Sequence, residues 1–136
     1  MIKPICKDIF FLSKKAIKAS ENDIEVGRDL LDTLKAHKQE CIGMAANMIG
    51  SNLAIIVVNM GITDVVMFNP KIVVKNNPYD TQEACLSLNG TRNCTRYKKI
   101  KVEYYDFDFN KHINEYSGII AEIIQHEIDH LNGILI

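Results

Sequence analysis

The chain has 136 residues, 47% hydrophobic and 24% charged, with 16 Lys plus Arg against 17 Asp plus Glu for a formal net charge of −1. These are the proportions of an ordinary globular domain, and the length suits a single domain over residues 1–136. The near-neutral balance excludes a protein built to coat nucleic acid or an anionic membrane, so neither is expected as a partner.

Residues 53–58 form the longest apolar run, far short of the roughly 20 residues of a membrane-crossing helix. Lys3, Pro4, Lys7 and Asp8 interrupt any leader-like stretch, so a cytoplasmic location is expected. In chain order, Ser20 stands three residues before Asp23 in the manner of a capping box. Ile24, Leu30, Leu31 and Leu34 follow at helical spacing and predict one N-terminal helix. Residues 53–59 read as a buried β-branched strand, and 65–68 and 71–75 as two further strands separated by a turn at Asn69-Pro70. Residues 82–88 read as extended and meet Asn89-Gly90, a hairpin signal. Residues 97–105 alternate, with Ile100, Val102 and Tyr104 on one face and Lys99, Lys101 and Glu103 on the other. A turn over 106–110 leads to a short strand at 112–116, and 118–131 predict a C-terminal helix with Gly133 beyond its end. The expected class is α+β, with mostly antiparallel short strands packed around the C-terminal helix.

That last helix carries His126-Glu127-Ile128-Asp129-His130. Histidines four residues apart lie about 40° apart around a helix, one turn above each other, so both rings reach one metal ion. Glu127 sits beside them, where it can take a proton from water. A catalytic metal site needs a third protein ligand. Residues 131–136 contain no His, Cys, Asp or Glu, so the ligand is expected upstream, where Cys85 offers a thiol on an extended segment. Of the four cysteines, Cys6, Cys41 and Cys94 read as small buried apolar residues. Arg92 and Arg96 read as solvated or paired with carboxylates.

Three segments resemble the motifs of peptide deformylases. Glu83-Ala84-Cys85-Leu86-Ser87 is similar to E-G-C-L-S, Gln125 to Leu131 to the H-E-x-D-H-L helix, and Gly43-Met44-Ala45-Ala46-Asn47-Met48 to G-L-A-A-x-Q, in the family's order. The resemblance implies hydrolysis of the N-formyl group from the initiator methionine of nascent peptides. It makes Cys85, His126 and His130 the ligands of one divalent ion, Fe(II) in the cell, with Zn, Ni or Co able to take the same site. It makes Glu127 the general acid/base and the Leu86 N–H a donor to the developing oxyanion. It lays the substrate backbone along Gly43 and its neighbours. Ile42, Met48, Ile124 and Ile128 are, by position, the expected substrate walls, and transient contact with the ribosome is a further implication. Two departures stand out: Ala84 replaces a glycine, and Met48 replaces the glutamine whose amide should donate to the formyl oxygen. A thioether has no such proton, and losing one oxyanion donor costs about 10²–10³ in kcat. Asn47 is adjacent but should point elsewhere. Two other readings remain open: a different small H-E-x-x-H hydrolase, and a weak or inactive relative that binds formylated peptides.

Overall fold

The C-terminal apolar segment forms helix α3 (Gly118–Leu131), as its periodicity predicts. Its buried residues include Ala121, Ile123, Ile124 and Leu131, but also Gln125, His126, Glu127 and His130, so polar groups enter the core with the apolar stripe. In the computed structural model, which describes residues 1–136, one antiparallel five-stranded sheet surrounds this helix. The strands are β1 (Gly43–Ala45), β2 (Ile55–Asn59), β3 (Asp64–Ala84), β4 (Thr91–Tyr105) and β5 (Lys111–Ser117), and they lie in that order across the sheet. A one-turn helix α1 (Ile9–Leu12), which no sequence signal announces, precedes helix α2 (Ile24–Ala36). The predicted Ser20–Asp23 capping box is present, closing a 3₁₀ turn that leads into α2.

The α+β class stands, but two of the strands are long. Residues 64–84 form one 21-residue strand where the sequence predicts separate pieces. The cause lies at Asn69-Pro70. Asn69 takes a φ of +53°, tolerable for Asn because its short amide bonds locally. Its side chain accepts from the Ala19 N–H at 2.8 Å and donates to the Ala19 carbonyl at 2.9 Å. Pro70 contributes no N–H to the ladder, and the register shifts between Phe68 and Lys71 without reversing the chain. The dipeptide makes a bulge instead of a turn.

The reversal at Asn89-Gly90 does occur. Ala84 pairs with Thr91 across it, and Leu88 N–H closes on the Cys85 carbonyl at 3.1 Å. Cys85 therefore sits just past the end of β3, in the connection, and not within a strand.

Two side chains fix α3 against its surroundings. Gln125 accepts the Tyr97 N–H and donates to the Tyr97 carbonyl, both at 2.8 Å, and so behaves as an extra strand partner for β4. Asn47 donates to the His130 carbonyl at 2.9 Å and holds the other end of the helix. The core around these anchors includes Leu30, Leu34, Met44, Ile55, Val57, Phe68, Ile100 and Val102. No helix is long and apolar enough to cross a membrane.

Candidate metal centre

The connection after β3 and helix α3 bring three ligand types together. One donor atom each from Cys85, His126 and His130 lies within 4.8 Å of the others. The two imidazole Nε2 atoms face each other at 3.0 Å, with ring centroids 4.8 Å apart. The spacing of four residues on α3 produces this edge-on approach. Ser87 N–H donates to Cys85 Sγ at 3.4 Å.

A buried ion-pair network stands behind the ligands. Glu83 Oε1 meets His126 Nδ1 at 2.6 Å, which leaves Nε2 aimed at the other two donors. Arg96 grips Glu83 through Nε and Nη2 at 2.7–3.1 Å and reaches Asp129 through Nη1 at 2.6 Å. It is paired, as its type predicts, but it is 4% exposed instead of solvated. Arg92 binds the Asn89 carbonyl in the connection. Burial opposes charge on Glu83, yet His126 and Arg96 prevail and hold its carboxyl well below the usual range. Burial likewise lowers His126, but its bonds to Cys85 and Glu83 raise it to about 10. His130, buried and facing a positive His126, falls to about 3. His130 Nδ1 stays buried without a partner.

The donor set fits a divalent transition metal. A thiol and two imidazoles converge, and the Glu83 carboxylate behind His126 is the kind of partner that orients a ligating histidine. Glu127 completes the arrangement. Its Oε1 is buried without a partner, and burial pushes its pKa up to about 7, where it can accept and return a proton near neutrality. Leu86 lines the cavity, and its N–H donates to no backbone acceptor.

That cavity measures about 440 Å³ and opens beside Cys85, His126 and Glu127. Gly43 and Ile42 line it. A Cβ on Gly43 would meet Ile123 Cγ2 at 2.6 Å and Glu127 Oε2 at 3.0 Å, so only glycine lets β1 pass so close to the acid/base. Met48 also lines the cavity, and its Sδ accepts the Ala45 N–H at 3.5 Å. Asn47 faces away, toward the His130 carbonyl, and does not replace the missing amide.

Ile128 and Ile124 are corrected. Neither lines the cavity, because they lie about 200° around the helix from His126 on either side, and both pack into the core. The helix stripe that does line it is Ile119, Glu122, Ile123, His126 and Glu127. Cys41 is corrected too: it is half-buried in the cavity wall, and burial, Glu127 and Glu40 push its thiol up to about 12. Glu122 and Cys41 were missed as site residues. Glu122 was legible as one helical turn before His126, whereas Cys41 carried no signal beyond lying two residues before Gly43.

The sequence profile of the polypeptide deformylase family matches residues 3–136. A peptide deformylase of Clostridium beijerinckii is 51% identical over 136 residues, all of both chains. One from Dictyoglomus thermophilum is 34% identical over 125 residues, covering 91% of this chain and 80% of its own. The crystal structure of peptide deformylase from Thermotoga maritima superposes with a TM-score of 0.89 at 28% identity, covering 99% of this chain and 95% of that one. A Met-Ala-Ser-bound peptide deformylase from Acinetobacter baumannii superposes with a TM-score of 0.87 at 26% identity, covering 99% and 97%. With a profile match over nearly its whole length and a full-length relative at 51% identity, this chain belongs to the polypeptide deformylase family.

Proposed function

We propose that this chain hydrolyses the N-formyl group of formyl-methionyl peptides, in the cytoplasm and on nascent chains, and that Cys85, His126 and His130 hold its single divalent ion. Fe(II) is the ion proposed for the cell. When bound, such an ion supplies Lewis acidity, lowering the pKa of a water and polarising the formyl carbonyl. Glu127 accepts a proton from the attacking water as its oxygen bonds to the formyl carbon. The Leu86 N–H donates to the oxygen on which charge develops. Glu127 then delivers the proton to the amine as the C–N bond breaks, leaving formate and a peptide with a free N-terminus. Arg96 and Glu83 keep His126 oriented throughout. Gly43 and Ile42 face the substrate backbone. Met48 donates nothing, so turnover runs about 10²–10³ below that of a site with a second oxyanion donor.

One observation carries this reading: three metal-ligand side chains converge within 4.8 Å beside a buried carboxylate oxygen that no protein group satisfies. The test is metal analysis of anaerobically purified protein. One ion per chain is expected in the wild type, with loss in Cys85→Ala and His126→Ala. Undiminished binding in Cys85→Ala would exclude this ligand set and favour a different H-E-x-x-H hydrolase.

A further inference from the structure

The cavity runs in one direction from the ligand set. On α3 its lining residues are Ile119, Glu122, Ile123, His126 and Glu127, a single stripe at helical spacing, and His130 at the far end is not among them. A substrate with its formyl carbon at the Cys85–His126 end must therefore extend toward the start of α3. Glu122 lies one turn before His126, about 6 Å along the axis. An unbranched side chain of four heavy atoms, attached two bonds from the formyl carbon, spans a similar distance. A peptide whose backbone followed Ile42 and Gly43 across the cavity would bring that tip to the level of Glu122 and Ile123.

Glu122 is held there. Tyr79 on β3 donates its hydroxyl proton to Glu122 Oε1 at 2.9 Å. No Lys, Arg or His side chain forms an ion pair with it. The Arg96 guanidinium is occupied by Glu83 and Asp129. Burial, and after it the contact with the Glu83 carboxyl, raise the Glu122 carboxyl above its ordinary value against the opposing pull of Tyr79 and Arg96. The Gln82 amide adds a second polar group to the rim nearby. The wall that receives the first side chain is thus apolar on Ile119 and Ile123 and acidic on Glu122.

We propose that Glu122, positioned by Tyr79, is a specificity-determining residue that extends the enzyme's range to formylated peptides whose first side chain ends in an ammonium group or another N–H donor. An ammonium at that depth would supply the missing countercharge, while its methylene stem packs on Ile119 and Ile123. The inference rests on the deformylase reading and adds a substrate class to it.

The test compares formate release from two tripeptides, formyl-norleucyl-Ala-Ser and formyl-lysyl-Ala-Ser, whose first residues differ only by the terminal ammonium. In wild type the lysyl peptide is expected to reach a kcat/KM within about ten-fold of the norleucyl one. Glu122→Gln, nearly isosteric and uncharged, is expected to lower the lysyl-to-norleucyl ratio by about 10–100-fold, the scale of one charge-assisted hydrogen bond. Tyr79→Phe, which frees the carboxylate without removing it, should lower the ratio less, and thermal melts of each variant report folding. A ratio unchanged in Glu122→Gln overturns the proposal, as does wild type that cleaves the norleucyl peptide but rejects the lysyl one by more than about 100-fold. Release from neither peptide by loaded wild type sinks the deformylase reading itself, and the inference with it.

Discussion

Restoring an amide at position 48 should accelerate the enzyme. Met48 is 1% exposed and faces the cavity, and its Sδ already takes the Ala45 N–H. Glutamine has almost the same length and no branch, so in Met48→Gln the new Oε1 inherits that N–H while Nε2 turns toward the cavity. There it can donate to the oxygen on which charge develops, alongside the Leu86 N–H. A second oxyanion donor is worth about 10²–10³ in kcat, or about 2.7–4 kcal/mol of transition-state stabilisation. In the free enzyme the same amide leaves a buried N–H unsatisfied, which should lower stability by about 1–3 kcal/mol. The assay is formate release from a formyl-Met peptide at matched metal content, with kcat and KM separated, and denaturant melts beside it. A rise in kcat accompanied by a fall in stability is expected. An unchanged kcat in a folded, loaded variant would refute the reasoning, and a change confined to KM would mean that the amide binds substrate and transition state alike.

The remaining predictions concern the groups that support the site. Arg96→Met removes the only cation bound to Glu83 apart from His126, so folding stability measured in urea should fall by about 3–5 kcal/mol. Metal affinity should weaken in the same variant by about 10–100-fold, since the carboxylate that orients His126 loses its own anchor. Gly43→Ala drives a methyl group against Ile123 and Glu127, and kcat should drop by about 10²-fold with little change in metal content. Removing the ion with a chelator should lower the unfolding midpoint. With free ion at 1,000 times its Kd, the lost contribution is about 4 kcal/mol.

Legibility followed the physics of each signal. Helix α3 could be bounded from its periodicity because one face is buried from Ala121 to Leu131, and His126, Glu127 and His130 are local to it. Cys85 was legible as a residue type in a motif, but its placement in the connection after β3 depended on where the β3–β4 ladder ends. Asn69-Pro70 looked like a turn because its chemistry suits one. Its conversion to a bulge depends on Ala19, fifty residues away, pairing with the Asn69 amide. The Glu83–Arg96–Asp129 network has the same character. Arg96 lies across a β-ladder from the Glu83 region, and only the fold reveals that both are buried. The expected wall residues Ile124 and Ile128 failed for a simpler reason: an isoleucine-rich helix offers several apolar stripes, and only the packing decides which one faces the cavity.

The most direct measurement is formate release from a formyl-Met peptide by anaerobically purified, Fe(II)-loaded protein, set against Glu127→Ala with the same metal content. Slow but measurable release by the wild type is expected, with a loss of about 10²–10⁴-fold when the carboxylate is removed. No formate from the fully loaded wild type, or equal release by Glu127→Ala, would contradict the assignment of this site.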